Sequence, residues 1–384
     1  MKNPEENFRD RLKTAKSAVI KIGSQVMVDD RGRIDRGFFD ELAATVSSLA
    51  RQGKKIVIVS SGAIVNGLLE LPAFKKPLTM PEKQAIAGLG QPILMQHYRR
   101  AFARHKIPVG QVLLTHDDFS LRARYLNSKN TLEQMHRLGI IPVINENDTV
   151  AIDEIRFGEN DQLAALVAVM LSAELLVILS VVPGLCRADP LKDPDAAVIP
   201  LIRSLDQKLY ECVEDSKSKS GSGGMESKIA AARLAAAAGI PTFIGSGKNP
   251  EVLKRLFEGK IMGSLILPES AKLKGIKRWM LFAGRHKGEL KIDSGAAKAL
   301  IERNKSLLPS GLLEVKGKFL AGELVRVLDE QGKEIAKGLV NYSSEDLKKI
   351  KGRHTDEIEK LLGTKDYDEV IHKDNLALSG AIRT

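Results

Sequence analysis

The sequence predicts two domains: an α/β domain with a mostly parallel central sheet, followed by a small, mostly β domain. Three observations support this prediction. Short apolar runs alternate with segments of helical periodicity over residues 1–270. The runs are continuously apolar, which is typical of parallel strands covered on both faces. After Pro268 the pattern changes to short strand-like segments with frequent Gly.

Strands and helices of the first domain follow one another in the order that βα units produce. The predicted strands span residues 18–22, 55–59, 109–114, 141–144, 175–179 and 242–244. The predicted helices span residues 38–51, 81–104, 122–137, 161–171 and 227–238. The apolar stretch 163–185 is interrupted by Glu174, so we predict a helix followed by a buried strand rather than a membrane span.

The second domain is predicted as a small barrel-like module of short strands with one helix. The strands span residues 288–292, 312–315, 323–327 and 334–340, and the helix spans 296–303. The predicted domain boundaries are 1–270 for the α/β domain and 276–362 for the β domain, with a C-terminal tail over 363–384.

The chain is moderately basic, with 59 Lys and Arg against 48 Asp and Glu, and a net charge of +11. This charge is compatible with anionic ligands such as nucleotides, or with weak attraction to nucleic acid, and requires neither. Cys186 and Cys212 form no CxxC motif, which argues against structural zinc and a disulfide framework. Residues 1–16 lack the apolar core of a signal peptide. We therefore expect a cytoplasmic protein without a membrane segment.

Two polar clusters lie close together in the middle of the first domain. Asn145-Glu146-Asn147-Asp148 follows an apolar run, and Gly158-Glu159-Asn160-Asp161 precedes another. In an α/β fold, the region beyond the carboxyl end of a strand is where ligands bind. Asn and carboxylate side chains suit a small ligand with an amine, a carboxylate or a metal-bound phosphate.

Lys21 stands near the end of the first predicted strand and is followed by Gly23 and Ser24. A turn of this kind brings backbone close to phosphate oxygens, and the ammonium group adds a point charge. The alternative is a lysine that reaches solvent from the strand end.

Ser60-Ser61-Gly62 follows the second strand and offers hydroxyl and N–H groups to an anion. The alternative is an ordinary helix N-cap made by a serine.

A Gly-rich loop opens the last predicted helix of the first domain. It reads Ser222-Gly223-Gly224-Met225-Glu226-Ser227-Lys228. Glycines, a helix N-terminus and a lysine one turn in make a second site for phosphate, and a flexible loop before a helix is the competing interpretation. The chain has neither a Walker A motif nor a GxGxxG motif after a strand.

Lys21 and Lys228, with carboxylates between them, suggest phosphoryl transfer, which depends on positioning and positive charge. The two lysines could neutralise the oxygens of the transferred group while Mg²⁺ bridges the phosphates of a nucleotide, and Asp161 could hold the lysines in place. No general base is required if the acceptor is a carboxylate, because it is already ionised at neutral pH.

These motifs resemble those of the amino acid kinase family in kind and in order, which implies a sandwich fold around a mostly parallel sheet. The motifs of the first domain that carry the resemblance are Ile20-Lys21-Ile22-Gly23-Ser24, Ser60-Ser61-Gly62-Ala63-Ile64, Pro142-Val143-Ile144-Asn145-Glu146-Asn147-Asp148, Gly158-Glu159-Asn160-Asp161, Ala188-Asp189-Pro190 and Gly223-Gly224-Met225-Glu226-Ser227-Lys228. The second domain resembles a PUA domain through Ile292-Asp293-Ser294-Gly295-Ala296-Ala297, Ser306-Leu307-Leu308-Pro309-Ser310-Gly311 and Gly317-Lys318-Phe319. The resemblance is greatest to members of the family that phosphorylate the γ-carboxylate of L-glutamate with ATP, the first step of proline biosynthesis.

The resemblance implies a role for each motif. Lys21 and Lys228 would stabilise the transferred phosphoryl group, and Asp161 would orient both lysines. The residues implied for ATP binding are Lys21, Ser180, Val181, Ser222, Gly223, Gly224, Met225, Glu226, Ser227 and Lys228. The residues implied for glutamate binding are Ser61, Asp148 and Asn160. The resemblance also implies feedback inhibition by proline near the glutamate site, a dimer or tetramer, and transfer of the labile product to glutamyl phosphate reductase.

The sequence departs from the family's pattern at three positions. Glu159 stands where an Asp is usual, and Cys186 stands where a Tyr is common. The third departure is larger: Ser180 is present, but Val181 replaces the Asp that normally follows it in the nucleotide-binding region. We therefore expect weaker ATP binding.

Two alternatives remain open at this point. One is a kinase of the same fold that acts on another acceptor, such as aspartate or N-acetylglutamate, although those relatives lack a PUA domain. The other is an RNA-binding protein with a degenerate kinase domain. The basic residues of the second domain that could contact RNA phosphates are Arg278, Arg285, His286, Lys287 and Lys291. The segment has few aromatic residues for base stacking, which argues against RNA binding.

Overall fold

The computed structural model describes residues 4–71, 78–150, 160–186, 196–203, 224–249, 251–268, 277, 280–281 and 286–379. The chain divides into two compact units. The first unit comprises Met1–Asp118 and Ala123–Ser270. The second comprises Phe119–Arg122 and Ala271–Thr384.

The first unit is built on an eight-stranded sheet in the order β3-β4-β2-β1-β5-β7-β8-β6. The strands are β1 (Ser17–Ile22), β2 (Lys55–Ser60), β3 (Val109–Leu114), β4 (Ile141–Glu146), β5 (Leu175–Ser180), β6 (Leu201–Ile202), β7 (Thr242–Ser246) and β8 (Ser264–Ile266). All neighbouring pairs are parallel except β7 and β8. The predicted mostly parallel sheet is confirmed. The sequence did not reveal β6 and β8, which are too short for a readable pattern.

Helices connect these strands, and all five predicted ones are present. The helices of this part of the chain are α1 (Pro4–Thr14), α2 (Arg36–Arg51), α3 (Ala63–Glu70), α4 (Met80–Ala103), α5 (His116–Ser120), α6 (Arg122–Arg137), α7 (Asn160–Leu171), α8 (Met225–Ala237) and α9 (Glu251–Phe257). The sequence analysis did not predict α1, because this segment is mostly charged and has few apolar side chains, among them Phe8 and Leu12. Among the described residues, no helix is both long and apolar enough to cross a membrane.

The apolar strands form the centre of the core, as their continuous pattern predicted. Ile20, Ile58 and Val177 lie on the three neighbouring strands β1, β2 and β5 and are each 0% exposed. Burying a side chain of this size contributes roughly 1.5–3 kcal/mol to stability. Because β1, β2, β4 and β5 run parallel, their carboxyl ends lie at one edge of the sheet, where the polar clusters follow.

Two glycines allow α3 and α4 to meet backbone to backbone. A Cβ atom on Gly90 would overlap the carbonyl oxygen of Ala63 and the amide nitrogen of Gly67. A Cβ atom on Gly67 would in turn overlap the carbonyl oxygen of Ile86. The close approach holds the middle of α4 against α3, and so fixes where the residues around Gly90 lie.

The second unit contains a five-stranded sheet in the order β10-β9-β11-β12-β13. Its elements are β9 (Gly288–Ile292), α10 (Ser294–Arg303), β10 (Leu312–Gly317), β11 (Leu324–Leu328), β12 (Glu334–Leu339), α11 (Ser344–Ile350), α12 (Ile358–Leu362) and β13 (Leu376–Leu378). The predicted strands and helix are confirmed.

The segment predicted as a C-terminal tail contributes to this sheet instead. Strand β13 pairs antiparallel with β12, through Ala336 and Leu378 among others. Val370 and Ile371 are 0% exposed and belong to the core of the second unit. The boundary at 362 therefore separates residues that pack together; the sequence analysis missed this because β13 has only three residues.

Candidate active site

Three buried charged side chains meet beyond the carboxyl ends of β1 and β5. The Lys21 Nζ atom lies 2.6 Å from Asp161 Oδ1, and the Lys228 Nζ atom lies 3.4 Å from Asp161 Oδ2. The side chains of Lys21, Lys228 and Asp161 are 5%, 3% and 0% exposed. One carboxylate thus faces two ammonium groups in a region that excludes water. The alternative for Lys21, a side chain that reaches solvent, is wrong, because the ammonium group is directed inward.

The pKa of Asp161 reflects two opposing effects. Burial alone would raise it, but the ammonium groups of Lys21 and Lys228 lower it, and the Ser227 hydroxyl adds to their effect. The net result is a pKa below the ordinary value of an aspartate. Asp161 is therefore ionised at neutral pH and attracts both lysines.

Lys228 and Ser227 come from the first turn of α8. Gly224 is the N-cap of this helix, and no side chain caps it. The Ser227 hydroxyl lies 2.8 Å from Asp161 Oδ2 and 3.1 Å from the carbonyl oxygen of Gly224. The positive end of the helix dipole therefore points toward the same charged group as the two lysines. Of the predicted Gly-rich loop, Ser222 and Gly223 lie outside the described residues, whereas Gly224, Met225 and Glu226 are described.

Asn160 connects the ends of β2 and β4. Its Nδ2 atom lies 2.9 Å from the carbonyl oxygen of Ser60, 3.1 Å from Ser61 Oγ and 2.8 Å from Asn145 Oδ1. Asn160 immediately precedes Asp161, so these amides and hydroxyls lie beside the charged cluster. Ser61 and Asn160, both predicted for the acceptor, are thus in direct contact.

The other predicted acceptor residue, Asp148, lies in the turn that follows β4, and its side chain is half-buried. In the same turn, Thr149 donates a hydrogen bond from Oγ1 to Asn147 Oδ1, at 2.7 Å. Glu159 lies outside the described residues, so the effect of its longer side chain stays a prediction.

The N-cap alternative for the serines after β2 is wrong. The N-cap of α3 is Gly62, whose φ of 101° is in the left-handed region that favours glycine, and no side chain caps the helix. Ser60 is instead buried at the end of β2, and its Oγ atom lies 2.9 Å from the hydroxyl of Tyr98. Burial raises the pKa of Tyr98, so this pair is neutral.

Sequence reasoning missed Gln91, which lies in the middle of α4. Its side chain is only 7% exposed, and its Oε1 atom accepts a hydrogen bond of 2.7 Å from Asn145 Nδ2. A glutamine inside a helical segment is usually on a solvated face. No sequence signal distinguished Gln91, because its burial depends on the glycine contact between α3 and α4.

Comparison with known proteins identifies the family of the chain. The model of the amino acid kinase family matches residues 16–246, and the PUA domain model matches residues 288–362. A glutamate 5-kinase from Thermus thermophilus is 48% identical over 365 residues, covering 95% of this chain and 98% of the relative. The chain belongs to the glutamate 5-kinase family. A glutamate 5-kinase from Pelobacter propionicus is 42% identical over 96% of this chain and 99% of the relative. Among solved structures, the carbamate kinase from Giardia lamblia covers 67% of this chain at 18% identity, with a TM-score of 0.48.

Two of the three departures noted for this member of the glutamate 5-kinase family, Val181 and Cys186, lie after the end of β5. Ser180 is the last residue of β5, and its carbonyl oxygen accepts a hydrogen bond of 2.7 Å from the Gly247 N–H. Val181 follows and is 42% exposed. Cys186 is half-buried, and burial raises the pKa of its thiol. The carboxylate that is usual at position 181 is therefore replaced by an exposed apolar side chain. The effect of this replacement on ATP binding stays a prediction.

Proposed function

We propose that the chain transfers the γ-phosphoryl group of ATP to the γ-carboxylate of L-glutamate. The products are L-glutamyl 5-phosphate and ADP, and the reaction is the first step of proline biosynthesis. The observation that carries the proposal is the buried group of Lys21, Asp161 and Lys228 at the strand ends. Membership of the glutamate 5-kinase family supports the same acceptor.

The reaction exchanges one phosphorus–oxygen bond for another. An oxygen of the γ-carboxylate attacks the γ-phosphorus of ATP, and the bond between that phosphorus and the β,γ-bridging oxygen breaks. The electron pair leaves with ADP. No proton is transferred, because the carboxylate is ionised at neutral pH. The protein therefore needs to position the two substrates and to stabilise the negative charge between them.

We assign the stabilisation of this negative charge to Lys21 and Lys228. Both ammonium groups are almost completely buried, so their attraction for phosphoryl oxygens is weakly screened by water. Asp161 contacts both and holds them at a fixed separation before substrate binds. Asp161 is thus proposed as a positioning residue for the two lysines.

The acceptor is proposed to bind beside this group, against Ser61, Asn160 and Asp148. Ser61 and Asn160 contact each other next to Asp161, which suits a carboxylate near the lysines. Asp148 lies in the turn after β4, and its carboxylate suits the ammonium group of glutamate. The hydroxyl of Ser61 and the amide of Asn160 thus suit a carboxylate of the acceptor, and the carboxylate of Asp148 suits its ammonium group.

ATP is proposed to bind toward β5 and the start of α8, near Ser180, Val181 and the residues from Gly224 to Lys228. Mg²⁺ would enter with the nucleotide and neutralise its phosphates. Within the described residues, no group of three or more His, Cys, Asp or Glu could hold a metal ion. Both oxygens of Asp161 face ammonium groups, so this carboxylate does not suit a metal. The ion is therefore assigned to ATP and belongs to the substrate.

Other expectations remain proposals. Proline is proposed to inhibit at or near the acceptor site, since it resembles a cyclised glutamate in carrying an α-carboxylate and an amine. We also propose a dimer or tetramer, a cytoplasmic location, and direct transfer of the labile acyl phosphate to glutamyl phosphate reductase.

RNA binding by the second unit stays an untested prediction. Arg278 and Arg285 lie outside the described residues. Arg326 is paired with Glu289 and lies 3.9 Å from Glu334, so part of the positive charge of this sheet is neutralised within it.

Trapping the product with hydroxylamine tests the proposed function. Purified protein is incubated with ATP, Mg²⁺, hydroxylamine and one of three acceptors: L-glutamate, L-aspartate or N-acetyl-L-glutamate. We expect hydroxamate with L-glutamate and far less with the other two. Absence of hydroxamate at saturating ATP and L-glutamate would refute the proposal, and preference for another acceptor would favour the alternative kinase.

A further inference from the structure

We propose that Gln91 is an additional substrate-binding residue, whose Nε2 group donates a hydrogen bond to the α-carboxylate of the acceptor. The inference rests on the proposed function and extends its acceptor site onto α4. It follows from the orientation of three amide side chains that are linked by hydrogen bonds, namely Asn160, Asn145 and Gln91.

The orientation of Asn160 is set by the backbone. Its terminal atom near Ser60 lies 2.9 Å from a carbonyl oxygen, which can only accept a hydrogen bond. That atom of Asn160 must therefore be the nitrogen. The same nitrogen contacts Asn145 at 2.8 Å, so the atom that Asn145 presents must be an oxygen.

A second backbone group fixes Asn145 independently. The N–H of Glu146 donates a hydrogen bond of 2.9 Å to the same Oδ1 atom of Asn145. A backbone N–H can only donate, so it confirms that this atom is the oxygen. The Nδ2 group of Asn145 is consequently turned toward Gln91.

Gln91 must then present its oxygen to Asn145, across the 2.7 Å contact. Its Nε2 group is therefore the last group in this series of hydrogen-bonded amides. Nε2 is buried and has no hydrogen-bond partner among the described residues. An unsatisfied buried donor is unfavourable, so a ligand that supplies an acceptor would recover this free energy on binding. Flipping the Gln91 amide would not remove the problem, because it would set two donors against each other.

The position of Gln91 on α4 brings this donor to the acceptor site. One turn before it, a Cβ atom on Gly88 would lie 3.5 Å from Thr149 Cγ2, in the turn that contains Asp148. Gly90 holds the same part of α4 against α3. Gln91 therefore lies between α3 and the end of β4, and the glycine contacts leave it little freedom to move.

The order of the three amides indicates which group of the acceptor is bound. Asn160 is adjacent in sequence to Asp161, and hence close to the lysines that would receive the γ-phosphoryl group. Gln91 is two hydrogen bonds further along the series. A γ-carboxylate near the lysines places the α-carboxylate at the far end of the amino acid. A neutral N–H donor there suits a carboxylate oxygen and does not suit the ammonium group, which has no acceptor atom.

Gln91→Glu tests the inference with a minimal change in shape. One carboxylate oxygen can still accept from Asn145, while the other replaces the donor with a negative charge. We expect the KM for L-glutamate to rise about tenfold or more, with a smaller change in kcat and in the KM for ATP. L-isoglutamine, in which the α-carboxylate is a neutral amide with donors of its own, should lose much less in this variant. The ratio of kcat/KM for the two acceptors should therefore shift by about tenfold or more toward L-isoglutamine.

Gln91→Met provides a second variant that removes the donor without adding charge, and thermal unfolding checks that both variants fold. An unchanged KM for L-glutamate in the folded variants would overturn the inference. Equal losses for L-glutamate and L-isoglutamine would overturn it as well, because they would indicate a structural role. If the unmodified protein forms no hydroxamate from L-glutamate, the proposed function itself fails. An active wild type with unaffected variants refutes only the role of Gln91.

Discussion

The carboxylate of Asp161 lies 2.6 Å from the ammonium group of Lys21, and neither side chain is more than 5% exposed. This ion pair joins β1 to the start of α7, and Lys228 extends it to α8. Burying charged groups is unfavourable unless each has close partners. The site is therefore organised before any substrate binds.

Asp161→Asn removes the carboxylate charge that the two lysines share. We expect kcat to fall about 100-fold or more, because the ammonium groups are no longer held in position. The free energy of unfolding should fall by about 3–5 kcal/mol, as for other buried ion pairs that lose one partner. Hydroxamate assays and thermal unfolding measure the two effects.

Asp40→Asn is the matched control. Asp40 forms an ion pair with Arg104, whose side chain is 56% exposed. Such surface pairs contribute about 0–1 kcal/mol. If both aspartate variants lose the same stability, the buried cluster has no special structural role.

Stability should depend on pH through Asp161. Its pKa is lowered in the folded protein, so it stabilises the fold wherever the unfolded group is ionised, and loses this contribution as pH falls through the lowered pKa. The difference in unfolding free energy between the wild type and Asp161→Asn should be constant above about pH 5 and shrink below about pH 4. A difference that grows on acidification would contradict the assigned direction.

Lys228→Ala should reduce turnover far more than acceptor binding. We expect kcat to fall about 100- to 1,000-fold, the usual effect of removing a group that stabilises transition-state charge. The KM for L-glutamate should change only a few-fold, because Lys228 is assigned to the phosphoryl group. Lys228→Arg keeps the charge but not its position, and should recover part of kcat. Unchanged kcat in Lys228→Ala would exclude this role.

Val181→Asp restores the carboxylate that is usual after Ser180 in the family. Because Val181 is 42% exposed, the change should cost little stability, within about 0.5 kcal/mol. We expect the KM for ATP to fall, while the KM for L-glutamate stays constant. Leu138→Asp, at a position 63% exposed, controls for the added charge. If Val181→Asp leaves the KM for ATP unchanged, another group already makes the contribution to ATP binding that the carboxylate would make.

Gly90→Ala tests the close contact between α3 and α4. The new Cβ atom would overlap backbone atoms of α3, so we expect a loss of about 1–3 kcal/mol and a higher KM for L-glutamate, since Gln91 would move. Gly88→Ala is the control in the same helix: its Cβ atom would make an ordinary contact, and alanine favours helix by up to about 1 kcal/mol. Equal stability of the two variants would refute the tight packing.

The sequence predicted the parts of this protein that local patterns determine. The apolar strands around Ile20 and Val177 and the helices between them were found because burial on both faces leaves a continuous pattern. Lys21 and Asp161 were predicted as site residues because they are charged residues beside apolar runs. Their contact was expected from the rule that parallel strands end at one edge, and from the resemblance to the amino acid kinase family.

Other features depend on tertiary contacts and leave no local signal. In the sequence, Gln91 cannot be distinguished from an ordinary residue on a solvated helix face. Its burial becomes evident only from the packing of Gly90 against α3. Strand β13 is three residues long, and only pairing with β12 identifies it. The contact of Ser60 could not be predicted from sequence. Whether this serine caps α3 or faces Tyr98 depends on the backbone conformation of Gly62.

The most direct test of the central claim follows an oxygen atom. L-Glutamate labelled with ¹⁸O in its γ-carboxylate is incubated with the protein, ATP and hydroxylamine, and the released phosphate is analysed by mass spectrometry. If the carboxylate attacks the γ-phosphorus, hydroxylamine expels phosphate that carries one ¹⁸O atom, in an amount equal to the hydroxamate formed. Unlabelled phosphate without hydroxamate would show that the site hydrolyses ATP with water, and would contradict transfer to the carboxylate.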